Sequence, residues 1–391
     1  MNILHVVPTF YPAVRYGGPI YSVLNLCLHL GKLGCHVKVL TTDANGSERL
    51  TEQQQRDPGL NEMCVQFCRR IAGTAAPGLV TRLPGLVAWA DVIHLTAVYN
   101  FPTLPTLFQA RRLGKPVVWS PRGTLQRWSG TRRTCEKAAF ESLCRMTLPR
   151  STVLHVTSSD EAAESQARFQ TSSVAVIPNG IDIPALPARP QCDGALKILY
   201  IGRLDPKKGV ENLLEALPIL RGRINQWRLR IVGDGASKNG LRHKAAAILD
   251  LQEQSSIEFC GQLSGESKYH AFQWCDLVVV PSHTENFGIV VAESLAHARP
   301  VIASTGTPWQ ELVPRGCGFW ESNSPAQLAD AIMRMSQSDR HAMGMKGRSW
   351  MEAAFSWPQQ AVKMRALYEQ LVSGAVQTRE ISGSLAPFAR S

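Results

Sequence analysis

Long apolar runs are absent from this sequence of 391 residues. No stretch approaches the roughly 18 to 20 consecutive apolar residues that a membrane-spanning helix requires. The amino terminus, Met-Asn-Ile-Leu-His-Val-Val, leads directly into a predicted strand and lacks the pattern of a signal peptide. We therefore expect a soluble or peripheral protein of the cytoplasm.

A framework of cysteines for metals or disulfides is also missing. The chain has 10 Cys, but their spacings are irregular, and neither a Cys-x-x-Cys pair nor a Cys/His ligand pattern occurs. Zinc domains and disulfide-rich secreted domains depend on such patterns. The sequence therefore predicts free thiols in a reducing compartment.

Wholesale disorder is excluded as well. Disordered chains combine low hydrophobicity with high net charge, whereas 44% of these residues are hydrophobic. At the usual size of a domain, 391 residues predict two domains, or three.

Positive charge is in excess, with 42 Lys and Arg against 31 Asp and Glu and a formal net charge of +11. This bias admits nucleic acid, an anionic membrane or phosphorylated small molecules as partners. No nucleic-acid-binding motif occurs, so nucleic acid is not an expected partner. The most basic segment, 122–150, predicts either a surface that binds the inner face of an anionic membrane or a solvated helix face. Its seven cationic residues are Arg122, Arg127, Arg132, Arg133, Lys137, Arg145 and Arg150.

The order of predicted elements indicates an α/β fold. Short apolar strands alternate with helical patterns up to 174–177, and the alternation restarts with a strand at 196–201. Buried strands separated by helices are typical of doubly wound parallel sheets. We therefore predict two Rossmann-like domains that face each other across a central cleft. The predicted parts are domains at 1–185 and 195–358, a hinge near 183–195, a helix at 359–372 and a disordered tail at 374–391.

Two carboxylates with the spacing Glu-x7-Glu, Glu285 and Glu293, follow a predicted strand at 277–281. We predict a helix from about Asn286, with Gly288 near its start. The free N–H groups at such a helix start attract anions. The two carboxylates, about 10 Å apart along the helix, would then bind hydroxyls at the two ends of an extended ligand. Alternatively, Glu285 is a surface acid and Glu293 packs against an Arg.

A basic turn, Gly202-Arg203-Leu-Asp-Pro-Lys-Lys208-Gly209, also joins a predicted strand to a helix. An Arg side chain can clamp a phosphate with two hydrogen bonds, and Lys adds a compact charge. Arg203 and Lys208 therefore suit a diphosphate. The alternative is a solvated basic turn.

Taken together, the motifs resemble those of glycosyltransferase family 4 in identity, order and spacing over about residues 1–372. They are Gly17-Gly18, Val176-Ile-Pro-Asn-Gly-Ile-Asp182, Gly202-Arg203 with Lys208-Gly209, Val232-Gly-Asp-Gly235, Phe259-Cys-Gly261 and Glu285-x7-Glu293. The resemblance implies a GT-B fold whose amino-terminal domain binds the acceptor and whose carboxy-terminal domain binds a nucleotide-sugar donor. It implies transfer with retention of anomeric configuration and without a metal or other cofactor. It also implies that the helix at 359–372 crosses back to the first domain.

The same resemblance implies a glycan or lipid-linked acceptor in the biosynthesis of a bacterial surface polysaccharide. The alternative function is that of a UDP-sugar epimerase or another nucleotide-sugar enzyme on the GT-B fold.

Residue roles are also implied by the resemblance. Arg203 and Lys208 would neutralise the donor diphosphate, Glu293 would bind the ribose, and Glu285 would lie near the transferred sugar. The predicted catalytic residues are Glu285, Arg203, Lys208 and Arg122. The predicted donor-binding residues are Gly17, Gly18, Arg203, Lys208, Gly261, Leu263, Asn286, Phe287, Gly288, Ile289 and Glu293.

One position departs from the family pattern. Many members have His-x-His where this chain has His94-Leu-Thr96, and a Thr cannot act as a base at neutral pH. His94 itself is either a buried strand histidine or a catalytic one. Besides these two, the acceptor-side candidates are Tyr99, Asn100 and Arg122.

Overall fold

The computed structural model describes residues 1–126, 134–170, 173–186 and 193–374. Arg127, Arg132 and Arg133 of the basic segment, and the tail from residue 375 onward, lie outside the described residues. The chain divides into two compact units. Unit 1 contains Met1–Gly180 and the segment from Trp357, and unit 2 contains Ile181–Ser356.

The division lies at Gly180, just before the hinge predicted at 183–195. The Ile181 amide donates to Phe355 O at 2.8 Å, and Ile181 forms a β-bridge with Ser356, so this residue is already part of unit 2. Gly180 instead lies against the Trp357 ring, where an added Cβ would come within 2.2 Å of ring carbons. The close contact explains the need for glycine at this turn.

Unit 1 is built on a parallel seven-stranded sheet in the order β5-β2-β1-β6-β7-β8-β9. Its strands are β1 (Asn2–Thr9), β2 (His36–Thr42), β5 (Cys64–Cys68), β6 (Val92–Thr96), β7 (Val117–Ser120), β8 (Thr152–Val156) and β9 (Ser173–Val176), beside a separate antiparallel pair of β3 (Ala44–Asn45) and β4 (Glu48–Arg49). Its helices are α1 (Gly18–Lys32), α2 (Glu52–Gln55), α3 (Pro77–Trp89), α4 (Thr103–Arg112), α5 (Thr134–Thr147), α6 (Ser159–Arg168) and α14 (Trp357–Val372).

Two element boundaries in unit 1 lie at prolines. Strand β1 continues through Pro8 to Thr9, because its pairing with β2 is irregular between Val6 and Thr9 and the missing N–H of Pro8 falls there. Helix α1 begins at Gly18 and tolerates Pro19 in its first turn, because helix N–H groups have no partner there.

Helix α14 packs on the sheet of unit 1. Buried side chains on one of its faces, among them Met364, Leu367 and Tyr368, join a cluster with residues of β1, β6 and α1. Arg365 Nη1 also donates to Leu33 O at 3.1 Å, just beyond the end of α1. The segment predicted at 359–372 is therefore a structural part of unit 1.

Unit 2 is built on a parallel six-stranded sheet in the order β12-β11-β10-β13-β14-β15. Its strands are β10 (Leu196–Ile201), β11 (Trp227–Val232), β12 (Ile257–Gly261), β13 (Leu277–Val280), β14 (Val301–Ser304) and β15 (Gly318–Glu321). Its helices are α7 (Val210–Ala216), α8 (Lys238–Ile248), α9 (Leu251–Ser255), α10 (Gly265–Trp274), α11 (Ile289–Ala296), α12 (Pro325–Gln337) and α13 (Arg340–Ala354). Leu and Ile side chains of β10, β11, α7 and α12 form its main core.

Each sheet reverses its strand order once, at β1/β6 in unit 1 and at β10/β13 in unit 2. Loops that leave two neighbouring strands at such a point run to opposite sides and leave a crevice at the carboxyl ends of the strands. Both units are therefore Rossmann-like, and each has one place where a ligand site is expected.

No helix in the described ranges is long and apolar enough to cross a bilayer.

Candidate functional site

The two sequence motifs of unit 2 follow the two strands that flank its point of reversal. The loop 202–209 leaves β10, and the loop 281–288 leaves β13. Backbone contacts join them, because the His283 amide donates to Lys207 O at 2.9 Å. Gly209, with a φ of 62°, lies so close to Pro281 that an added Cβ would be 2.2 Å from its carbonyl oxygen. Glycine is therefore required where the two loops meet.

An ion pair links the side chains of these loops. Lys208 Nζ lies 2.5 Å from Glu285 Oε1, and Ser282 Oγ donates to the same oxygen at 2.8 Å. The Glu285 amide donates to Gly306 O at 2.8 Å, so the backbone beside this carboxylate is also held. Both charged side chains retain some exposure, 25% for Lys208 and 14% for Glu285. An ammonium has three donors, so Lys208 can bind Glu285 and a ligand oxygen together.

Arg203 stands in the same loop with an exposed side chain. Its carbonyl accepts from the buried Tyr200 hydroxyl at 2.9 Å, and the next amide, that of Leu204, donates to Asp234 O at 2.9 Å. Its guanidinium has no hydrogen-bond or ion-pair partner in the part of the chain that the structure describes. The loop therefore holds the backbone in place and leaves this cation available to a ligand.

Helix α11 begins at Ile289, not at about Asn286 as predicted. Gly288 precedes it in the left-handed conformation, with φ 70° and ψ 55°, and this conformation delays the start of the helix. The Trp309 Nε1–H donates to Phe287 O at 2.5 Å and holds the buried Phe287 in place. The backbone at 287–289 thus turns at the carboxyl edge of the sheet, next to the Lys208–Glu285 pair.

Glu293 lies in the second turn of α11. Its Oε1 is 2.5 Å from Lys268 Nζ on α10, so its cationic neighbour is a Lys and not an Arg. Its Oε2 is buried and has no hydrogen-bond partner among the described residues. A buried carboxylate oxygen without a donor is costly, so this atom indicates a place for a ligand hydroxyl.

Gly261 and Leu263 lie at the end of β12. Gly261, with a φ of 69°, accepts a hydrogen bond from the Gly233 amide at 2.7 Å, and Leu263 follows half-buried before α10. Both are therefore on the same edge of the sheet as the Arg203 loop.

Gly17 and Gly18 belong to unit 1, where Gly17 has a φ of 78° and caps α1 after β1.

Two of the acceptor-side candidates, His94 and Thr96, are buried in β6. Thr96 Oγ1 is 3.0 Å from His5 Nε2, and the imidazole rings of His5 and His94 stack with centroids 4.2 Å apart. His94 contacts Tyr368 OH at 2.5 Å and Ser120 Oγ at 2.6 Å. These side chains fill one face of the sheet. Their burial favours the interpretation of His94 as a buried strand histidine over that of a catalytic residue.

The hydrogen bonds form a directed chain across three strands and α14. His155 Nε2 is 2.9 Å from Ile177 O and must donate to it, so its Nδ1 accepts from Ser120 Oγ at 2.6 Å. Ser120 then accepts from His94 Nε2–H, and His94 Nδ1 accepts from the Tyr368 hydroxyl. The sequence carries no local signal for this hydrogen-bond network, because its members are 26 to 274 positions from His94 or from one another and only the strand register aligns them.

Arg122 has the left-handed φ of 55°, which costs a non-glycine residue about 1–3 kcal/mol. Its Nη1 donates to Asn179 Oδ1, whereas its Nε is buried and has no partner among the described residues. Burial is the main reason that its pKa is lowered. The oxygens of the nearby Glu161 accept from the Gly123 amide and from Thr157. Arg122 therefore keeps hydrogen-bonding capacity for an anionic ligand.

Tyr99 and Asn100 lie in the loop after β6. The Tyr99 hydroxyl donates to Glu141 of α5, and Lys137 stands over the Tyr99 ring at 5.2 Å. The Asn100 amide donates to Val98 O at 2.8 Å, which closes a tight turn. Tyr99 is thus engaged in contacts between the loop and α5.

No group of three His, Cys, Asp or Glu side chains within the described ranges is placed to hold a metal ion.

The buried histidines predict that stability falls in acid. Burial lowers the pKa of His5 and of His155 from 6.5 to about 3, so the folded state takes up their protons only at much lower pH than the unfolded chain. The free energy of unfolding should therefore have its full value above pH 6.5. At lower pH it should decrease by about 1.4 kcal/mol per pH unit for each histidine. Urea titrations at pH 7, 6 and 5 measure this dependence.

His155→Gln is the informative variant, since its amide can donate to Ile177 O and accept from Ser120 while carrying no titratable proton. It should flatten the pH dependence, and His36→Gln, at an exposed position, should not. If the free energy of unfolding of His155→Gln depended on pH as steeply as that of the wild-type protein, His155 would not be a source of the pH dependence.

Known proteins resemble the chain along most of its length. Residues 17–180 match the family described as Glycosyl transferase 4-like domain, and residues 187–350 match Glycosyl transferases group 1. A phosphatidyl-myo-inositol mannosyltransferase of Mycobacterium leprae is 31% identical over 189 residues, which are 46% of this chain and 49% of that protein. A lipopolysaccharide 1,2-N-acetylglucosaminetransferase of Salmonella typhimurium is 27% identical over 210 residues, 49% of this chain and 55% of that protein. The chain spans about half the length of the curated relatives it matches.

Among solved structures, HepE of Anabaena in complex with UDP and glucose has a TM-score of 0.72 at 18% identity. The alignment covers 95% of this chain and all of that one. A likeness at this identity concerns the fold, and it agrees with the two Rossmann-like units described above. The chain belongs to the group 1 glycosyltransferases and has the GT-B fold that its sequence motifs predicted.

Proposed function

We propose that this protein is a retaining glycosyltransferase that moves a hexosyl group from a nucleotide-diphosphate sugar to a hydroxyl of a glycan or lipid-linked acceptor. One observation carries the proposal. At the point where the sheet of unit 2 reverses, the Arg203–Lys208 loop and the Glu285–Glu293 segment come together, with Lys208 Nζ 2.5 Å from Glu285. Cations beside carboxylates at this edge match a ligand with a diphosphate at one end and hydroxyls at the other.

The donor would bind along this edge. Arg203 and Lys208 hold the diphosphate, the backbone at 287–289 contacts phosphate and sugar, and Glu285 contacts the sugar hydroxyls. The unpartnered Glu293 Oε2 accepts from the ribose hydroxyls. Gly261 and Leu263 lie next to the base. UDP in the HepE complex supports a nucleotide of this class.

In the reaction, the bond between the anomeric carbon and the diphosphate oxygen breaks, and its electron pair leaves with the diphosphate. The acceptor oxygen forms the new bond to the anomeric carbon on the same face, and its proton passes to the departing diphosphate. Charge grows on the leaving group, so fixed cations and helix N–H groups aimed at it stabilise the transition state. Two side-chain cations supply this charge without a metal, so activity should persist in EDTA.

The acceptor would bind to unit 1, where Arg122 keeps donors for a phosphate or for an acceptor group. Thr96 and His94 lie buried in the sheet, so we assign them a structural role. A surface polysaccharide or its lipid carrier is the proposed destination of the sugar. The Salmonella lipopolysaccharide enzyme and the mycobacterial phosphatidylinositol enzyme support that class of acceptor.

A peripheral site at the inner face of the cytoplasmic membrane is proposed for α4 and α5. Phe108 of α4 is 58% exposed, and Met146 of α5 is 71% exposed. Arg111 Nη1 of α4 donates to the backbone oxygen of Met146 at 2.6 Å, so a cation lies where α4 meets α5. Exposed Arg112 and Arg145 extend the basic surface. Apolar side chains among cations are the pattern of a helix that lies on anionic lipid.

Donor-site variants test the proposed function. Arg203→Ala, Lys208→Ala and Glu293→Ala should each lower donor affinity or turnover by about tenfold or more, the scale of a lost charge-assisted contact. Transfer rates and calorimetric affinities for UDP, GDP and ADP sugars are the measurements. Arg228→Ala removes an exposed Arg from β11 and should have no effect. Wild-type activity and affinity in all three site variants would refute the assignment.

Vesicle binding tests the membrane surface. The wild-type protein should sediment with vesicles of phosphatidylcholine and about 30% phosphatidylglycerol, less so as salt rises, because salt screens the attraction. The double variant Phe108→Asp and Met146→Asp should sediment several-fold less. Leu251→Asp, at an exposed position of unit 2, is the control. Equal binding to neutral vesicles, or no binding at low salt, would exclude this surface.

A further inference from the structure

Glu293 is held from one side only. Its Oε1 is 2.5 Å from Lys268 Nζ, whereas the buried Oε2 lacks a partner among the described residues. The side chains of Lys268 and Glu293 are 29% and 20% exposed, so water competes weakly with this pair. One oxygen of the carboxylate is therefore fixed by protein and the other is left for a ligand.

Lys268 reaches Glu293 from another part of the sheet edge. It lies in the first turn of α10, which begins at Gly265, directly after Gly261 and Leu263. The ion pair thus ties the segment after β12 to the helix after β13. These are the two segments that the proposed function places at the base and at the ribose.

Other contacts hold α10 and α11 together without Lys268. The rings of Phe272 and His297 stack with centroids 4.3 Å apart, and Arg299 Nε donates to Phe272 O at 2.8 Å. The far end of α10 is therefore anchored independently. Loss of the Lys268 ammonium should leave the unit folded and should free the Glu293 carboxylate to rotate.

We propose that Lys268, to which no role has been assigned so far, is a positioning residue for donor recognition. It fixes Glu293 through Oε1 so that Oε2 faces the ribose hydroxyls of a nucleoside diphosphate. This inference rests on the proposed function, because it requires a ribose at Glu293. A carboxylate that is aligned in advance loses less conformational freedom when it binds a diol than one that rotates. The Lys268 contact should therefore strengthen binding of the ribose hydroxyls specifically.

The test pairs a change in the protein with a change in the ligand. Binding of UDP, GDP and ADP to the wild-type protein first identifies the nucleotide, and that nucleotide is then compared with its 2′,3′-dideoxy analogue. Calorimetry measures both ligands with wild type, Lys268→Met and Lys268→Arg. Lys244→Met, which removes a Lys paired with Glu215 away from this edge, is the matched control.

The wild-type protein should prefer the ribose form by about tenfold or more, as for a hydrogen bond to a charged group. In Lys268→Met this preference should shrink to about threefold or less, and the dideoxy ligand should bind nearly as before. Lys268→Arg should restore most of the preference, and Lys244→Met should keep all of it. In the transfer reaction, Lys268→Met should raise the KM for the donor far more than it lowers kcat.

Two results would overturn the inference. If Lys268→Met weakens both ligands equally, Lys268 has only a structural role, and a lowered melting temperature would accompany this loss. If Lys268→Met keeps the full preference for ribose, Glu293 is positioned without it. Failure of the proposed function looks different, because the wild-type protein would then bind none of the three nucleotides or would not discriminate against the dideoxy form.

Discussion

The Lys208–Glu285 ion pair is the contact on which the candidate site depends. It joins loops that leave β10 and β13, the two strands where the sheet of unit 2 reverses its order. The parallel topology brings both loops to one edge, and the close approach at Gly209 lets their side chains meet. Arg203, the start of α11 and Glu293 are all placed by these two loops. A diphosphate ligand would therefore encounter charges that are already assembled.

Much of this arrangement could be predicted, because the informative residues stand at the ends of apolar strands. Parallel strands carry such residues to a common edge, so Arg203, Lys208 and Glu285 could be assigned to one site before their distances were known. The start of α11 could not be predicted to the residue. Gly288 adopts a left-handed conformation and delays the helix to Ile289, and the sequence alone does not distinguish a glycine inside a first turn from one before it.

The interior of unit 1 was harder to predict, for a physical reason. His5, His94, Ser120 and His155 come from four strands, and only the register of the sheet places them on one face. Tyr368 completes the chain from α14, more than 270 positions from His94. Long-range pairings of this kind leave no local pattern. The resemblance to a family drew attention to His94 and Thr96 as acceptor-side residues, whereas the hydrogen bonds give both a place in a buried network and leave Arg122 as the cation with spare donors.

Hydrogen–deuterium exchange with and without nucleotide tests the central claim most directly, namely that the reversal point of the unit 2 sheet is the donor site. Addition of the nucleoside diphosphate that binds, chosen from UDP, GDP and ADP, should slow exchange in peptides that cover 202–209 and 281–296. Peptides at the amino ends of the same strands should not change. Protection at that opposite edge, or protection spread evenly over unit 2, would contradict the account.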